Sequence, residues 1–347
     1  MKFSSILLDW YAVNKRDLPW RDIDNPYVVW IAEVVFQQTR IEQGLPFFVR
    51  FMEKFSTVEV LAKASEAEVL KMWQGLGYYS RARNLHFSAR YIVNELEGVF
   101  PSSYTELLKL KGVGPYIAAE VASVCFNEVV AAIDGNVQRV IARYFGVEEP
   151  VNSSQGEQQV RVLANEHIHT NTPGDFNQAL MDFGSSVCKP KSPLCNECIF
   201  SEMCWANRNQ MQTTLPIKIK KVKVRNRYFN FLLFVNDNKL AVVKRESGDV
   251  WQGLFQPILS ETNEEVKSTD ELDFSGFLFS KSIRQLSHQK LFLRFWVVHS
   301  GFKFEKHAPE IEWHNYEELH QLPVPKSIEE LFSSNDFEAL INRGRIN

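Results

Sequence analysis

Four cysteines lie close together in one stretch of the chain. Six residues separate the first from the second, two the second from the third and five the third from the fourth: Cys188, Cys195, Cys198 and Cys204. Zinc sites favour two Cys-x-x-Cys arms joined by a longer connection, and only one pair here has that spacing. Four thiolates on one short loop suit a compact iron–sulfur cluster better. The spacing therefore favours an iron–sulfur cluster and leaves zinc as the alternative.

Disulfide bonds are the third chemistry open to these thiols, and they persist mainly in oxidising compartments. The N-terminal stretch MKFSSILLDWYAVNKRDLPW places charged residues within a few positions of its apolar ones, unlike a signal peptide. The sequence has no run of about 18 uncharged apolar residues, as a membrane-spanning helix would need. We therefore expect no membrane association, a cytoplasmic location (at the nucleoid in a bacterium) and reduced thiols.

A second stretch, LKGVGPYIAAEV, contains two glycines that could help to bind an anion. Gly112 and Gly114 permit a tight turn between two helices, at about residues 105–125, and leave backbone N–H groups exposed at the start of the second helix. Such groups can hold a DNA phosphate without a charged side chain. The same pattern also serves as an ordinary turn between helices, so it is weak evidence by itself.

The elements that carry these motifs read as helices up to about residue 210. Apolar residues recur with helical periodicity, and Gly, Asn or Pro separates the segments. PYVVWIAEVVFQQTRIEQ reads as one buried helix, and TVEVLAKASEAEVLKMWQGLG as an amphipathic helix that Gly75 and Gly77 end. This part of the chain is predicted to be all-α.

The periodicity changes after about residue 225. YFNFLLFVNDNKLAVVKRE reads as strand, turn and strand, LFLRFWVVHSGF as a further strand, and SIEELF, NYEELHQL and DFEALINRG as short helices. A chain of 347 residues is long enough for two domains. We therefore predict a multidomain protein with an all-α domain at 1–208, a linker at 209–226 and an α+β domain at 227–347. The net charge of -3 does not point to nucleic acid, although KIKKVKVRNR, residues 218–227, is strongly basic.

Three features together resemble the helix-hairpin-helix DNA glycosylases of the endonuclease III superfamily. They are Leu-x-Gly-Val-Gly before a helix, an aspartate 20 residues after the second glycine, and the cysteine spacing. The resemblance implies a helix-hairpin-helix fold, double-stranded DNA as the partner and a [4Fe–4S] cluster that the four cysteines hold in a loop at 188–204. It also implies that Lys189 and Lys191 face the DNA backbone.

Within that superfamily the sequence resembles the MutY-type adenine glycosylases, through PYVVWIAEVVFQQTRIEQ, WQGLGYYSRARNL and FNQALMDFGSSVC. Bifunctional relatives place a Schiff-base lysine two residues after the second glycine of the hairpin, where this chain has Tyr116. Because tyrosine cannot form a Schiff base, the resemblance implies a monofunctional adenine glycosylase. The alternatives are a bifunctional pyrimidine-lesion glycosylase/AP lyase of the endonuclease III type and a non-enzymatic DNA-binding or cluster-carrying protein.

Glu33 takes the position of the general acid, which protonates adenine on a ring nitrogen of its imidazole portion. Trp30, Ile31, Val34 and Val35 flank it, so its pKa is expected to be raised and its proton held near neutral pH. A helix residue that faces solvent is the alternative interpretation of Glu33.

Asp134 takes the position of a second carboxylate, which stabilises the positive charge that develops on the deoxyribose or traps it covalently. Asp-Gly-Asn before VQRVIARYF also predicts a helix N-cap. Both roles can hold together, because a cap fixes the carboxylate. Tyr116 and Asn136 are expected to position the sugar, the water or the acid.

The target base must leave the duplex to reach these residues. By resemblance, Gln38 and Tyr78 enter the DNA helix around the mismatch, although Tyr78 also fits a core aromatic residue. Trp20, Arg21 and Gln178 match the walls of the adenine pocket.

The C-terminal domain resembles the MutT-like, Nudix-related module of these glycosylases. ILSETNEEVKSTDELD lacks the glycines, the arginine and the glutamate-rich centre of the Nudix metal box, so we expect no nucleotide hydrolysis. QLSHQKLFL matches the loop that reads 8-oxoguanine, with Leu286 in place of the usual aromatic residue, followed by Ser287 and His288. The resemblance as a whole implies a monomeric enzyme of base excision repair that removes adenine mispaired with 8-oxoguanine or guanine.

Overall fold

Two compact units make up the chain. The structure, a computed structural model, describes residues 2–219, 224–246, 248–300 and 310–342. A helical unit comprises Met1–Ala62 and Phe87–Lys220, and a mixed unit comprises Lys63–His86 and Lys221–Asn347. The final boundary between the two units along the chain falls inside the predicted linker at 209–226. Residues 220–223 of that linker lie outside the described chain. The domain limits at 208 and 227 stay a prediction.

Residues 2–219 are helical and contain no strand, which confirms the prediction for this part of the chain. A short 3-10 helix covers Cys195–Glu197. The α-helices are α1 Lys2–Asn14, α2 Pro26–Val35, α3 Ile41–Lys54, α4 Val58–Lys63, α5 Glu66–Met72, α6 Ser80–Glu95, α7 Tyr104–Leu107, α8 Pro115–Phe126, α9 Gly135–Phe145, α10 Ser154–His167, α11 Pro173–Ser186 and α12 Trp205–Arg208.

Two segments predicted as single helices are each divided. The segment PYVVWIAEVVFQQTRIEQ breaks after α2, and residues 36–40 form a turn in which Gln38 has a φ of 57°. The segment TVEVLAKASEAEVLKMWQGLG breaks between α4 and α5, because Ser65 and Glu68 form a capping box that starts a new helix. Hydrophobic periodicity continues across both breaks, so it did not reveal them.

Helix α11 is the central helix of the helical unit. It packs against α1, α8 and α9, while α2 packs against α8. Its fully buried Phe176 and Phe183 meet Leu7 of α1 and Val137 and Ile141 of α9 in one apolar core. Burial of several such side chains, at about 1.5–3 kcal/mol each, fixes these helices relative to one another. The candidate catalytic residues lie on the same helices.

The second half of the mixed unit is built on one seven-stranded sheet with the strand order β2-β3-β4-β1-β6-β5, and β7 pairs with β3. Among the strand pairs of the described residues, β1 and β6 run parallel and the others run antiparallel. The strands are β1 Arg225–Leu233, β2 Val235–Asn236, β3 Lys239–Lys244, β4 Phe255–Thr262, β5 Ser275–Gln285, β6 Gln289–Ser300 and β7 Ile311–Asn315.

Both strands and the turn of the predicted strand–turn–strand are present, but the two long strands do not pair with each other. Asp237 and Asn238 both have positive φ, as a tight hairpin turn needs, and join the short β2 to β3. The long β1 does not pair with β3; it lies between β4 and β6 and is buried on both faces at its centre. Three short helices follow as predicted: α13 Tyr316–Leu319, α14 Lys326–Phe332 and α15 Asn335–Asn342.

Over the described chain, none of the helices combines the length and the apolar character needed to cross a lipid bilayer.

Candidate active site

Glu33 and Tyr116 meet where α2 packs on α8. The Tyr116 hydroxyl donates a hydrogen bond of 2.5 Å to Glu33 Oε2. The residues flanking Glu33 in α2, including Trp30 and Ile31, are buried. Burial raises the pKa of Glu33 and outweighs the Tyr116 hydrogen bond, which lowers it. The predicted apolar surroundings and the raised pKa of Glu33 are therefore both present.

Asp134 is the N-cap of α9, as the sequence predicted. Its Oδ1 accepts hydrogen bonds of 2.8 Å from the backbone N–H groups of both Asn136 and Val137. Its Oδ2 accepts a third, of 2.6 Å, from the Asn136 side-chain amide. Burial raises the pKa of Asp134, and these hydrogen bonds oppose the rise. Three hydrogen bonds fix the carboxylate in one orientation.

Arg139, one turn further along α9, was not singled out in the sequence. Its guanidinium donates to the side-chain oxygen of Asn136 at 2.9 Å and to the carbonyl of Gly184 at 2.7 Å. A third hydrogen bond, of 2.7 Å, reaches the Cys188 carbonyl. Arg139 thus sets the orientation of the Asn136 amide, which in turn holds Asp134.

The close approach of α11 to α9 depends on Gly184. A Cβ atom at this position would lie 2.7 Å from Asn136 Cβ and 3.2 Å from its Cα and carbonyl oxygen. Real Cβ atoms essentially never approach backbone and Cβ atoms this closely, so a larger residue would move α11 or Asn136. The absence of a side chain at Gly184 therefore allows α11 to pack directly against the start of α9, where Asp134 lies.

Arg21 and Gln178, two of the three predicted pocket residues, share one hydrogen-bond network. The Tyr11 hydroxyl donates to Gln178 Oε1 at 3.0 Å, and Arg21 Nη1 lies 3.4 Å from that hydroxyl. Arg21 Nη2 also donates to Asp182 Oδ1 at 3.1 Å, and Asp182 is 1% exposed. Arg16 donates to the same carboxylate. Sequence reasoning missed Tyr11, Arg16 and Asp182, because nothing but their packing separates them from ordinary helix residues.

Trp20, the third predicted pocket residue, is buried between aromatic rings. It stacks on Phe36 with the ring centroids 4.4 Å apart and meets Phe48 edge-on at 5.2 Å. Glu120, on α8 one turn after Tyr116, is a further buried carboxyl that sequence reasoning missed. Its side chain hydrogen-bonds Gln178. The charge of Glu33 raises the pKa of Glu120, so Glu120 lies in the same region of the helical unit as Glu33.

The two glycines of the helical hairpin differ in their requirements. Gly112 has a φ of 84°, a left-handed conformation that favours glycine, and it turns the chain between α7 and α8. Gly114 is the N-cap of α8, and a Cβ there would meet no atom within 4 Å. Gly114 therefore leaves open the surface in front of the N-terminus of α8, as an anion site requires.

Gln38 and Tyr78 are exposed residues in the left-handed conformation, with φ of 57° and 47°. This backbone conformation is strained for residues other than glycine, and such strain is often found at functional sites. Tyr78 is 48% exposed, which rules out its interpretation as a core aromatic residue. The two residues belong to different units, Gln38 to the helical and Tyr78 to the mixed unit.

The four cysteines line one small cavity in the helical unit. The buried Arg143 closes one side: Nη1 lies 3.3 Å from Cys188 Sγ and donates to the Lys189 carbonyl at 2.7 Å. The Phe200 N–H points at Cys198 Sγ at 3.4 Å. As their side chains stand, no three His, Cys, Asp or Glu residues of the described chain form a metal-binding group. Lys189 is partly buried and Lys191 exposed.

The predicted recognition loop lies between β5 and β6 of the mixed unit. Its exposed Ser287 Oγ is 2.5 Å from the Tyr78 hydroxyl. A cleft of about 600 Å³ lies beside this contact, and its lining includes Tyr78, Trp251, Leu286, Ser287 and His288. Leu286 is partly buried and packs on the core of the sheet, whereas His288 is exposed. The loop therefore presents two hydrogen-bonding side chains and keeps its apolar one inside.

Comparison with known proteins gives one family. The HhH-GPD superfamily of base excision DNA repair proteins matches residues 31–166. The adenine DNA glycosylase of Buchnera aphidicola subsp. Schizaphis graminum is 27% identical over 95% of this chain and 97% of its own. The adenine DNA glycosylase of subsp. Acyrthosiphon pisum is 31% identical over 73% of each chain.

A solved structure, a thermostable thymine-DNA glycosylase, is 31% identical and aligns with 60% of this chain and 96% of its own at a TM-score of 0.56. An endonuclease III–DNA complex shares the fold at a TM-score of 0.52 and 23% identity. Both share the helical fold over about 60% of this chain. The chain belongs to the HhH-GPD superfamily of base excision repair proteins and, within it, to the adenine DNA glycosylases.

Proposed function

We propose that this adenine DNA glycosylase hydrolyses the N-glycosidic bond of adenine mispaired with 8-oxoguanine or guanine, without a lyase step. The observation that carries the proposal is the set of partly buried groups around Glu33. An acid with a raised pKa, a tyrosine hydroxyl bonded to it and a carboxylate fixed by three hydrogen bonds lie on α2, α8 and the cap of α9. Such a set supplies a proton and an anion to the same bond.

Departure of the base begins with Glu33. Its carboxyl gives a proton to a nitrogen of the imidazole portion of adenine, and the bond between C1′ and the base then breaks with its electron pair going to adenine. The Tyr116 hydroxyl, 2.5 Å from Glu33 Oε2, orients the carboxyl for this transfer. Burial raises the pKa of Glu33, which favours the protonated form that this transfer needs.

The sugar left behind carries positive charge, which Asp134 stabilises. Water then bonds to C1′ and gives a proton to the Glu33 carboxylate, which restores the acid and leaves an abasic deoxyribose. Asn136 and Arg139 keep Asp134 aligned during both steps. Tyr116 occupies the position of the lysine that bifunctional relatives use, so this site offers no amine for a Schiff base.

The four cysteines would hold a [4Fe–4S] cluster. Support comes from the donor set, since four thiols line one cavity that Arg143 and the Phe200 N–H border. A cation and an N–H group directed at sulfur stabilise thiolates. Such a cluster supplies a rigid centre for the loop at 188–204, and Lys189 and Lys191 would then meet the DNA backbone.

We assign recognition of the base opposite adenine to the mixed unit, as a Nudix-like module without hydrolase activity. The cleft between Tyr78 and the β5–β6 loop supports this role, because Tyr78 gives a stacking surface and Ser287 and His288 give hydrogen-bonding groups. The backbone N–H of Arg225 donates to the His288 carbonyl at 3.1 Å, which anchors the loop to β1.

DNA would be bound through the exposed turn at Gly112 and Gly114 and entered by Gln38 and Tyr78 around the mispair. We expect the protein to act as a monomer, in the cytoplasm or at the nucleoid.

The deciding experiment measures strand cleavage after alkali treatment, with duplexes that pair adenine with 8-oxoguanine, guanine, cytosine or thymine. Cleavage of the first two above the last two, and only after alkali, is the expected result. Cleavage without alkali would show a lyase, and equal cleavage of all four would contradict the mispair specificity.

A further inference from the structure

Glu120 is a buried carboxyl that the mechanism above does not use. It follows Tyr116 by one turn of α8, so the two side chains share a face of that helix. Glu120 is 1% exposed. Glutamate is almost never fully buried unless it has partners that compensate for lost hydration.

One partner of Glu120 is Gln178, whose orientation is fixed from the other side. Tyr11 donates to Gln178 Oε1 at 3.0 Å, so the amide nitrogen of Gln178 turns to Glu120 and donates to it. This bond satisfies one side of the Glu120 carboxyl. Within the described chain, Glu120 Oε2 has no hydrogen-bond partner.

A second buried polar atom nearby has no partner either. Arg21 uses its two terminal nitrogens on Tyr11 and Asp182, but its Nε finds no acceptor in the described chain. Most buried polar groups in proteins are hydrogen-bonded, so two such atoms in one network indicate a missing polar ligand. Gln178 connects the network to the predicted adenine pocket.

The charge state of Glu120 suits a purine base. Burial and the charge of Glu33 raise the pKa of Glu120 to about 8, so it carries a proton at neutral pH. A neutral carboxyl both donates and accepts hydrogen bonds. Adenine likewise presents an amino group beside a ring nitrogen, one donor next to one acceptor.

We propose that Glu120 is a specificity residue of the base pocket, whose Oε2 hydrogen-bonds the edge of the extrahelical adenine that carries the exocyclic amino group. This inference rests on the proposed function, since it assumes that adenine enters the pocket beside Glu33. Gln178 positions Glu120 for this contact, and Glu33 remains the acid.

The test compares two bases in otherwise identical duplexes: adenine, and purine, which lacks the amino group, each opposite guanine. Wild type, Glu120→Ala, Glu120→Leu and Glu120→Gln are assayed for single-turnover excision and for KM. Because every enzyme is tested on both bases, the intrinsic difference in leaving ability cancels. Loss of one hydrogen bond to the amino-bearing edge should lower the adenine-to-purine ratio of kcat/KM about tenfold in the Ala and Leu variants. The Gln variant, which can still donate and accept, should recover much of the ratio.

An unchanged ratio in the Ala and Leu variants would overturn the inference, even if both rates fell, because equal losses mean that Glu120 only supports the fold. The Leu variant fills the same space as glutamate and remains informative if Ala fails to fold. Glu33→Gln should slow excision of both bases and leave the ratio unchanged, and Glu166→Gln, at an exposed carboxylate of α10, should change neither. Wild type that excises no adenine at all would instead contradict the proposed function.

Discussion

At the scale of single residues, the helical unit holds three carboxyl groups whose pKa burial raises: Glu33, Glu120 and Asp134. In each case, different hydrogen-bond partners offset the cost of burying the carboxyl group. Glu33 bonds Tyr116, Glu120 bonds Gln178, and Asp134 accepts three hydrogen bonds at the start of α9. Their hydrogen bonds suit different chemical roles, since an acid must keep its proton, whereas the three hydrogen bonds to Asp134 favour its anionic form and oppose the effect of burial.

Glu33→Gln keeps the shape of the side chain and removes the transferable proton. Base excision should fall by at least about 10²-fold, as is typical when a general acid is lost. In wild type the rate should fall as pH rises through the raised pKa of Glu33, because only the protonated form is active. Single-turnover excision across a pH series checks both points. DNA affinity should survive, and a variant with near-normal excision would exclude Glu33 as the acid.

Asp134→Asn separates the N-cap from the chemistry. Asparagine caps helices about as well as aspartate, so the free energy of unfolding should change by less than about 1 kcal/mol. Excision should nevertheless be nearly abolished, since the negative charge beside the deoxyribose is lost. Chemical denaturation and single-turnover kinetics on the same preparation are the measurements. If the variant loses stability but not activity, the N-cap is the whole role of Asp134.

Glu120→Gln should show a pH-dependent gain in stability. Burial shifts the pKa of Glu120 from an ordinary 4.5 to about 8, so between these values the folded protein keeps a proton that the unfolded chain releases. The free energy of unfolding of the wild type therefore falls as pH rises between these values, by about 1.4 kcal/mol per pH unit. The variant has no such titration, so its advantage over wild type should widen from about pH 5 to about pH 8. Denaturation at several pH values tests this; a constant difference would mean that Glu120 does not hold the proton.

At the scale of helices, strands and turns, the sequence correctly predicted features that depend on residues close together in the chain. The turn at Gly112, the N-cap at Asp134 and the hairpin at Asp237 and Asn238 each follow from residue types at fixed offsets. Long-range packing decided what the sequence missed. Glu120 reads as a surface residue of a helix until α11 covers it.

Strands β4, β5 and β7 were not predicted from the sequence. Strand β5 contains no fully buried residue, so it lacks the clear buried face that marks a strand in a sequence. Strand β4 contains Pro257, which argues against an interior strand, yet it pairs with β3 and β1. Next to β4, the buried Arg227 of β1 pairs with both Asp249 and Glu261 at 2.6 Å. That charge network has no signature in the sequence, because its three members lie far apart along the chain.

The cysteine loop gives a prediction about metal content. The protein should be purified with iron, and with little zinc, as elemental analysis can measure. Cys198→Ser removes one ligand and should lower the iron content sharply, whereas Cys125→Ser, outside the loop, should leave it unchanged. A preparation that contains zinc and no iron would contradict the assignment of the cluster.

At the scale of the whole molecule, chemistry and recognition are assigned to different units. Substituting both Ser287 and His288 by alanine should weaken affinity for duplexes with adenine opposite 8-oxoguanine, by about 1–3 kcal/mol if a direct base contact is lost. Duplexes with adenine opposite guanine should be affected less. Excision of a bound adenine should change little, since Glu33 and Asp134 lie in the helical unit. Affinities for both duplexes are the measurement, and equal losses would mean that the loop only holds DNA.

The contact between Gly184 and Asn136 has a consequence for inheritance. An alanine at position 184 would place its Cβ 2.7 Å from Asn136 Cβ, so α11 or Asn136 would have to move. The movement would reach Asn136, and through it the carboxylate of Asp134. We expect a missense allele of this kind to lower the excision of adenine, a loss that a measurement of protein abundance alone would not reveal. At this position, the addition of a single methyl group is expected to disturb the orientation of the Asp134 carboxylate.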